Sequence, residues 1–100
     1  MATEVYEMLC AMLRHAMQER PKRQGFVTLP DGSSAPCWVV HEAEQMRDQV
    51  NRIRARGGLD PVELEHILDI ERTTAGHSDY ASKYALWCAT LALGETGAKA

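Results

Sequence analysis

Val5, Met8, Leu9, Met12, Leu13, Ala16 and Met17 recur at intervals of three and four residues, and that spacing commits the start of the chain to an amphipathic helix. Thr3 is the expected N-cap, and the helix is expected to run to about Glu19. Pro21 ends it, because proline disfavours helical geometry at the residue before it. Tyr6 and Cys10 widen the apolar arc to about half the cylinder at about 100° per residue. One core contact needs less. Either this helix is central, or its Met8/Met12 face also meets another chain, as in a homodimer.

The same reasoning gives three more helices. The second is expected from His41 to Arg56, with Ala43, Met46, Val50 and Ile53 as its stripe. Glu42 and Glu44 at its start and Arg52, Arg54 and Arg56 at its end complement the helix dipole. Asp48 and Arg52 are spaced for an ion pair, and Gly57-Gly58 supplies a left-handed stop. The third has Asp60 as N-cap and Pro61 as its first residue, turns Leu64, Ile67 and Leu68 inward, and ends between Thr73 and Gly76. The fourth is capped by Ser78, runs to Leu93 and stops at Gly94. It carries Tyr80, Tyr84, Trp87, Cys88 and Leu91 on one face and Ala81, Ala85, Ala89 and Ala92 beside it, with Leu86 and Leu93 covering much of the remainder. A helix apolar almost all round is expected at the centre.

Between the first two helices, Phe26–Leu29 and Cys37–Val40 are short β-prone runs flanking Pro30-Asp31-Gly32-Ser33-Ser34. They predict a short β-hairpin or an ordered loop. The expected architecture is therefore mainly α: one domain over residues 1–100, a compact bundle of about four helices, with 94–100 as a frayed tail. The chain has 100 residues, 45% of them hydrophobic and 25% charged, which suits a single globular core. No apolar run approaches the roughly 20 residues that span a bilayer, and no basic, then apolar, leader is present. A cytoplasmic protein without a membrane partner is expected. Cys10, Cys37 and Cys88 are odd in number and widely separated, and so read as free thiols.

Reactive chemistry finds little footing. His41-Glu42-Ala43-Glu44-Gln45 departs from the zinc pattern H-E-x-x-H at its second ligand, where an amide stands. Glu63-Leu64-Glu65-His66 is half of a di-iron helix signature, with no second copy. No phosphate-binding glycine loop is present, and only Cys37, beside Trp38, is a thiol outside an apolar helix face. The expectation is a non-enzymatic protein with no metal and no cofactor.

Charge is the more informative feature. The net charge is −3, against the basic surplus usual in nucleic-acid binders. Arg14 to Arg56 holds eight basic and five acidic residues, whereas Asp60 to Glu71 holds five acidic and no Lys or Arg. Glu63, Glu65, Asp69 and Glu71 form a candidate acidic contact face. Arg47 and Arg54, seven residues apart beside the second helix's stripe, are candidate grips for carboxylate or phosphate. Arg20, Lys22 and Arg23 form a further basic cluster. A rival reading takes Val62–Leu68, Asp69-Ile70-Glu71 and Arg72-Thr73-Thr74-Ala75 as helix, turn and start of recognition helix in a DNA-binding regulator. Asp69 in place of the turn glycine and the surrounding acids weigh against it.

In size, acidity and helical make-up, with the acidic patch Glu63, Glu65, Asp69 and Glu71 and no catalytic motif, the chain resembles small stand-alone proteins of phages and mobile elements. Among these it is similar to the compact helical anti-CRISPR inhibitors. The resemblance implies binding to a CRISPR surveillance ribonucleoprotein in a bacterial host, blocking target-DNA access or nuclease recruitment. It transfers no functional residue by position.

Overall fold

A computed structural model of the chain describes residues 2–94. Four helices account for most of them: α1 (Ala2–Met17), α2 (Cys37–Arg56), α3 (Leu64–Thr74) and α4 (Tyr80–Ala92). A 3-10 turn (Arg20–Lys22) follows α1, and an antiparallel hairpin of β1 (Phe26–Thr28) and β2 (Ser34–Pro36) leads into α2. The expected bundle of four helices with a hairpin between the first two is what forms. Helix α1 packs on α4 and α2, α2 also meets α3 and α4, and the hairpin leans on α2. Leu9, Leu13, Ala43, Met46, Val50, Ile67, Tyr84, Ala85 and Cys88 are buried where these elements meet. The body measures 36 × 27 × 24 Å.

Several element boundaries differ from expectation, each for a local reason. Thr3 lies inside α1 rather than capping it, and α1 ends at Met17. Helix α2 begins four residues early, absorbing Cys37–Val40, so the second strand is Ser34–Pro36. Val39, Val40, Ala43, Met46 and Val50 share one buried helical face. Burial on that face outweighs the β preference of the two valines. Helix α3 starts at Leu64, with Glu63 rather than Asp60 at the N-cap. The Val62 amide donates to Asn51 Oδ1 (2.8 Å), and Asn51 Nδ2 donates to the Val62 carbonyl (3.1 Å). Arg54 Nε donates to the Asp60 carbonyl (2.6 Å). These bonds hold the segment before α3 out against α2. Asp79, not Ser78, precedes α4.

Helix α2 leaves through a Schellman turn: the Leu59 amide donates to the Arg54 carbonyl (2.8 Å), and the Gly58 amide to that of Ala55 (3.1 Å). Gly58 takes φ +74°, as the expected stop requires. The turn lays Leu59 across the end of α4. There Gly94 takes φ +78°, a geometry that favours glycine, and a Cβ would stand 2.7 Å from Leu59 Cδ1, so that side chain would have to shift. The rest of the expected tail, 95–100, lies outside the described residues. Helix α4 is not sheathed all round: Leu86 is 54% exposed and Trp87 41%. Met8 is exposed and Met12 half-buried. The segment proposed as helix-turn-helix is one continuous helix, since Asp69-Ile70-Glu71 lies within α3. No described helix is long and apolar enough to cross a membrane.

Candidate functional site

The hairpin turn and the start of α3 form an open groove of about 270 Å³. Its turn is built by Asp31, whose Oδ1 accepts from the Ser33 amide (2.9 Å) and hydroxyl (2.6 Å). The same two bonds hold the Asp31 carboxyl below its ordinary range. Leu29, Pro30, Leu64 and Leu68 supply the apolar lining, and Asp31, Glu63, Glu65 and Arg72 the polar one. Arg72 is ion-paired with Asp69. Asp31, Glu63 and Glu65 are exposed, and none is in an ion pair among the described residues. The groove thus combines an apolar floor with three carboxylates that are in no ion pair among the described residues. On the far side of α3, a shallower groove of about 220 Å³ is lined by His66, Asp69, Ile70, Thr73, Trp87 and Leu91.

Of the six candidate site residues, the structure gathers two. Glu63 and Glu65 share the groove, and Asp69 stands beside it, paired with Arg72. Glu71 does not line that surface: it is buried on the core-facing side of α3. Arg47 is half-buried and bonds Asp48 through Nη2 (3.1 Å), which also takes Asp48 from its expected partner Arg52. Arg54 is a structural tie: Nε bonds the Asp60 carbonyl and Nη1 the Leu91 carbonyl (2.6 Å), placing a cation at the C-terminal end of α4. Arg54 is thus taken up within the fold, whereas Arg47 is held only by its exposed neighbour Asp48. Asp31 escaped sequence reasoning because a turn residue advertises its turn and not what the turn packs beside.

Arg20, read as a surface cation, is half-buried and reaches inward to a buried carboxylate. Its Nε and Nη2 grip Glu42 Oε2 and Oε1 (2.7 and 3.0 Å), and its guanidinium carbon lies 3.9 Å from the Trp38 ring centroid. Glu42 is 1% exposed. The bond to Glu42 raises the Arg20 pKa further. Nearby, Tyr80 donates a long hydrogen bond to Glu71 Oε2 (3.4 Å), and burial pushes the Glu71 carboxyl above its ordinary range. Tyr80 and Tyr84 pack edge to face, with ring centroids 5.7 Å apart. Burial raises both phenols, and the Tyr84 hydroxyl has no hydrogen-bond partner among the described residues.

The remaining reactive groups are placed as follows. Cys10 and Cys88 are buried, Cys37 is half-buried, and all three are free. Burial pushes the Cys88 thiol up to about 12, so it stays protonated and a poor nucleophile. Glu42 of the H-E-A-E-Q segment is committed to Arg20. Among the described residues, no three His, Cys, Asp or Glu side chains are grouped to hold a metal ion. The chain matches no protein-family model, no curated protein and no solved structure.

Proposed function

We infer that this chain is a non-enzymatic inhibitor or adaptor whose hairpin–α3 groove takes a basic, partly apolar segment of a protein partner. The observation that carries the reading is the set of three unpaired carboxylates, Asp31, Glu63 and Glu65, around an apolar floor. Proteins that handle nucleic acid hold basic surfaces for phosphate, and an acidic face of this kind competes for them. The anti-CRISPR resemblance specifies the partner as a CRISPR surveillance ribonucleoprotein, blocked in target-DNA binding or nuclease recruitment.

The test is a target-DNA binding and cleavage assay with purified surveillance complex, adding the wild-type chain or the Glu63→Lys/Glu65→Lys double variant. Inhibition by the wild type, weakened at least tenfold in the variant, supports the reading. These positions are exposed, but they stand at the N-cap and first turn of α3, so charge reversal should cost about 1–2 kcal/mol through the helix dipole, and circular dichroism checks that the variant is folded. Equal inhibition by both proteins removes the groove from the function, and no inhibition by the wild type removes the proposed partner.

A further inference from the structure

Phe26, the only phenylalanine of the chain, is 75% exposed, the most exposed of the large apolar side chains. The hairpin explains its outward direction. Val27 and Ala35 are paired in register and pack against the core, so their neighbours on each strand turn the other way. The outer face therefore presents Phe26 opposite Pro36 and Thr28 opposite Ser34: an aromatic ring, then two hydroxyls. Lys22 and Arg23 lie just upstream, exposed and in no ion pair among the described residues.

The backbone that carries them is held at both ends. The Arg23 amide donates to the Arg20 carbonyl (3.0 Å), and Arg20 is itself clamped by Glu42. The Cys37 amide donates to the Gly25 carbonyl (2.9 Å), fixing the entry to β1 on the start of α2. The hairpin is also polarised along its length, with cations at its base and Asp31 at its tip. The cations and the ring are thus kept away from the acidic groove.

We propose that the base of the hairpin binds single-stranded nucleic acid, with Phe26 stacking on a base and Lys22 and Arg23 meeting the adjoining phosphates. A flat exposed ring beside cations is the combination that single-strand binders use, because every base offers a π-face and every linkage a charge. Paired bases are already stacked, and two cations hold a duplex weakly at physiological salt. One aromatic ring flanked by hydroxyls offers too little apolar area to enter a lipid surface. This inference does not rest on the α3 groove. Inside a ribonucleoprotein, the two ends of the hairpin would meet protein and RNA respectively.

Fluorescence anisotropy of a labelled uridine oligonucleotide of about ten nucleotides, within the site size of small single-strand binders, reads the interaction directly. Titration with the whole chain at low and physiological salt should give saturable binding that weakens with salt. Phe26→Ala should weaken it at least about fivefold, the loss of one stacked base. Lys22→Glu/Arg23→Glu should weaken it and flatten its salt dependence. Glu63→Lys/Glu65→Lys should retain it. The variants alter exposed side chains, and circular dichroism checks that each is folded. Absence of binding, binding indifferent to Phe26→Ala, or binding to phosphatidylserine vesicles in place of the oligonucleotide would overturn the proposal.

Discussion

Glu65 lies open to water beside Glu63 at the mouth of the hairpin groove, while Glu71, on the same helix, is shut inside with Tyr80, close to Glu42 and Arg20. Six residues at about 100° each set the two side chains about 120° apart around α3. One carboxylate therefore costs the fold almost nothing and is free for a partner. The other is desolvated and must be answered from within the structure. The interior answers unevenly. Among the described residues, Glu42 receives a two-pronged guanidinium, whereas Glu71 receives one long bond from a phenol, and the neighbouring Tyr84 hydroxyl receives none.

The comparison is most easily broken at Arg20. Arg20→Ala leaves Glu42 buried and unmatched and removes the cation from the Trp38 ring, which should destabilise the protein by about 3 kcal/mol. The low end of the range for buried pairs applies, because the Arg20 side chain keeps 32% of its surface in water. Urea unfolding measures it. A loss below about 1 kcal/mol, as for a surface pair, would mean that Glu42 is hydrated in solution and that the interior does not answer it as described.

A smaller effect of opposite sign belongs to Tyr84. Its hydroxyl is desolvated without a partner among the described residues, so Tyr84→Phe removes a penalty and leaves the ring packing in place. The variant should gain about 1 kcal/mol in the same urea measurement. Destabilisation instead would show that the hydroxyl is satisfied in solution.

The sequence revealed the helices better than the site, and the reason is physical. Apolar spacing is a local property, and Leu9, Leu13, Ile67 and Leu68 sit in the core where their spacing put them. The same spacing extends to Val39 and Val40, which continue the buried face of α2 although both residues favour strands. The strap before α3 was not readable, because Asn51 and Arg54 hold it from another helix and no local pattern reports an 11-residue reach. Charge was the least legible property. Arg20, Arg54, Glu42 and Glu71 are ordinary surface types, and only the fold shows them bonded inside or between elements. Glu63 and Glu65 are in no ion pair among the described residues, and it is the fold, not a local pattern, that sets them beside the hairpin turn.

The smallest expected effect is a slope rather than an offset, and it concerns Glu71 alone. Burial raises its folded pKa above the ordinary 4.5, with the Glu42 charge acting in the same direction and the Tyr80 bond, Arg72 and Arg20 acting against it. Between the unfolded and folded values the native protein holds the proton that the unfolded chain has released. Stability from this group is therefore fully present below pH 4.5, falls as pH rises through the folded pKa, and is then level. Asp31, whose pKa is lowered, contributes in the opposite sense, with stability lost as pH falls, but it is common to wild type and variant and cancels in their difference. Glu71→Gln carries no such titration and retains an oxygen for the Tyr80 hydroxyl. Urea midpoints from about pH 4 to about pH 8 should show the two proteins alike at the acid end and the variant progressively the more stable above it. Parallel curves would place Glu71 in water beside Glu65, and the two faces of α3 would then hold their carboxylates on equal terms.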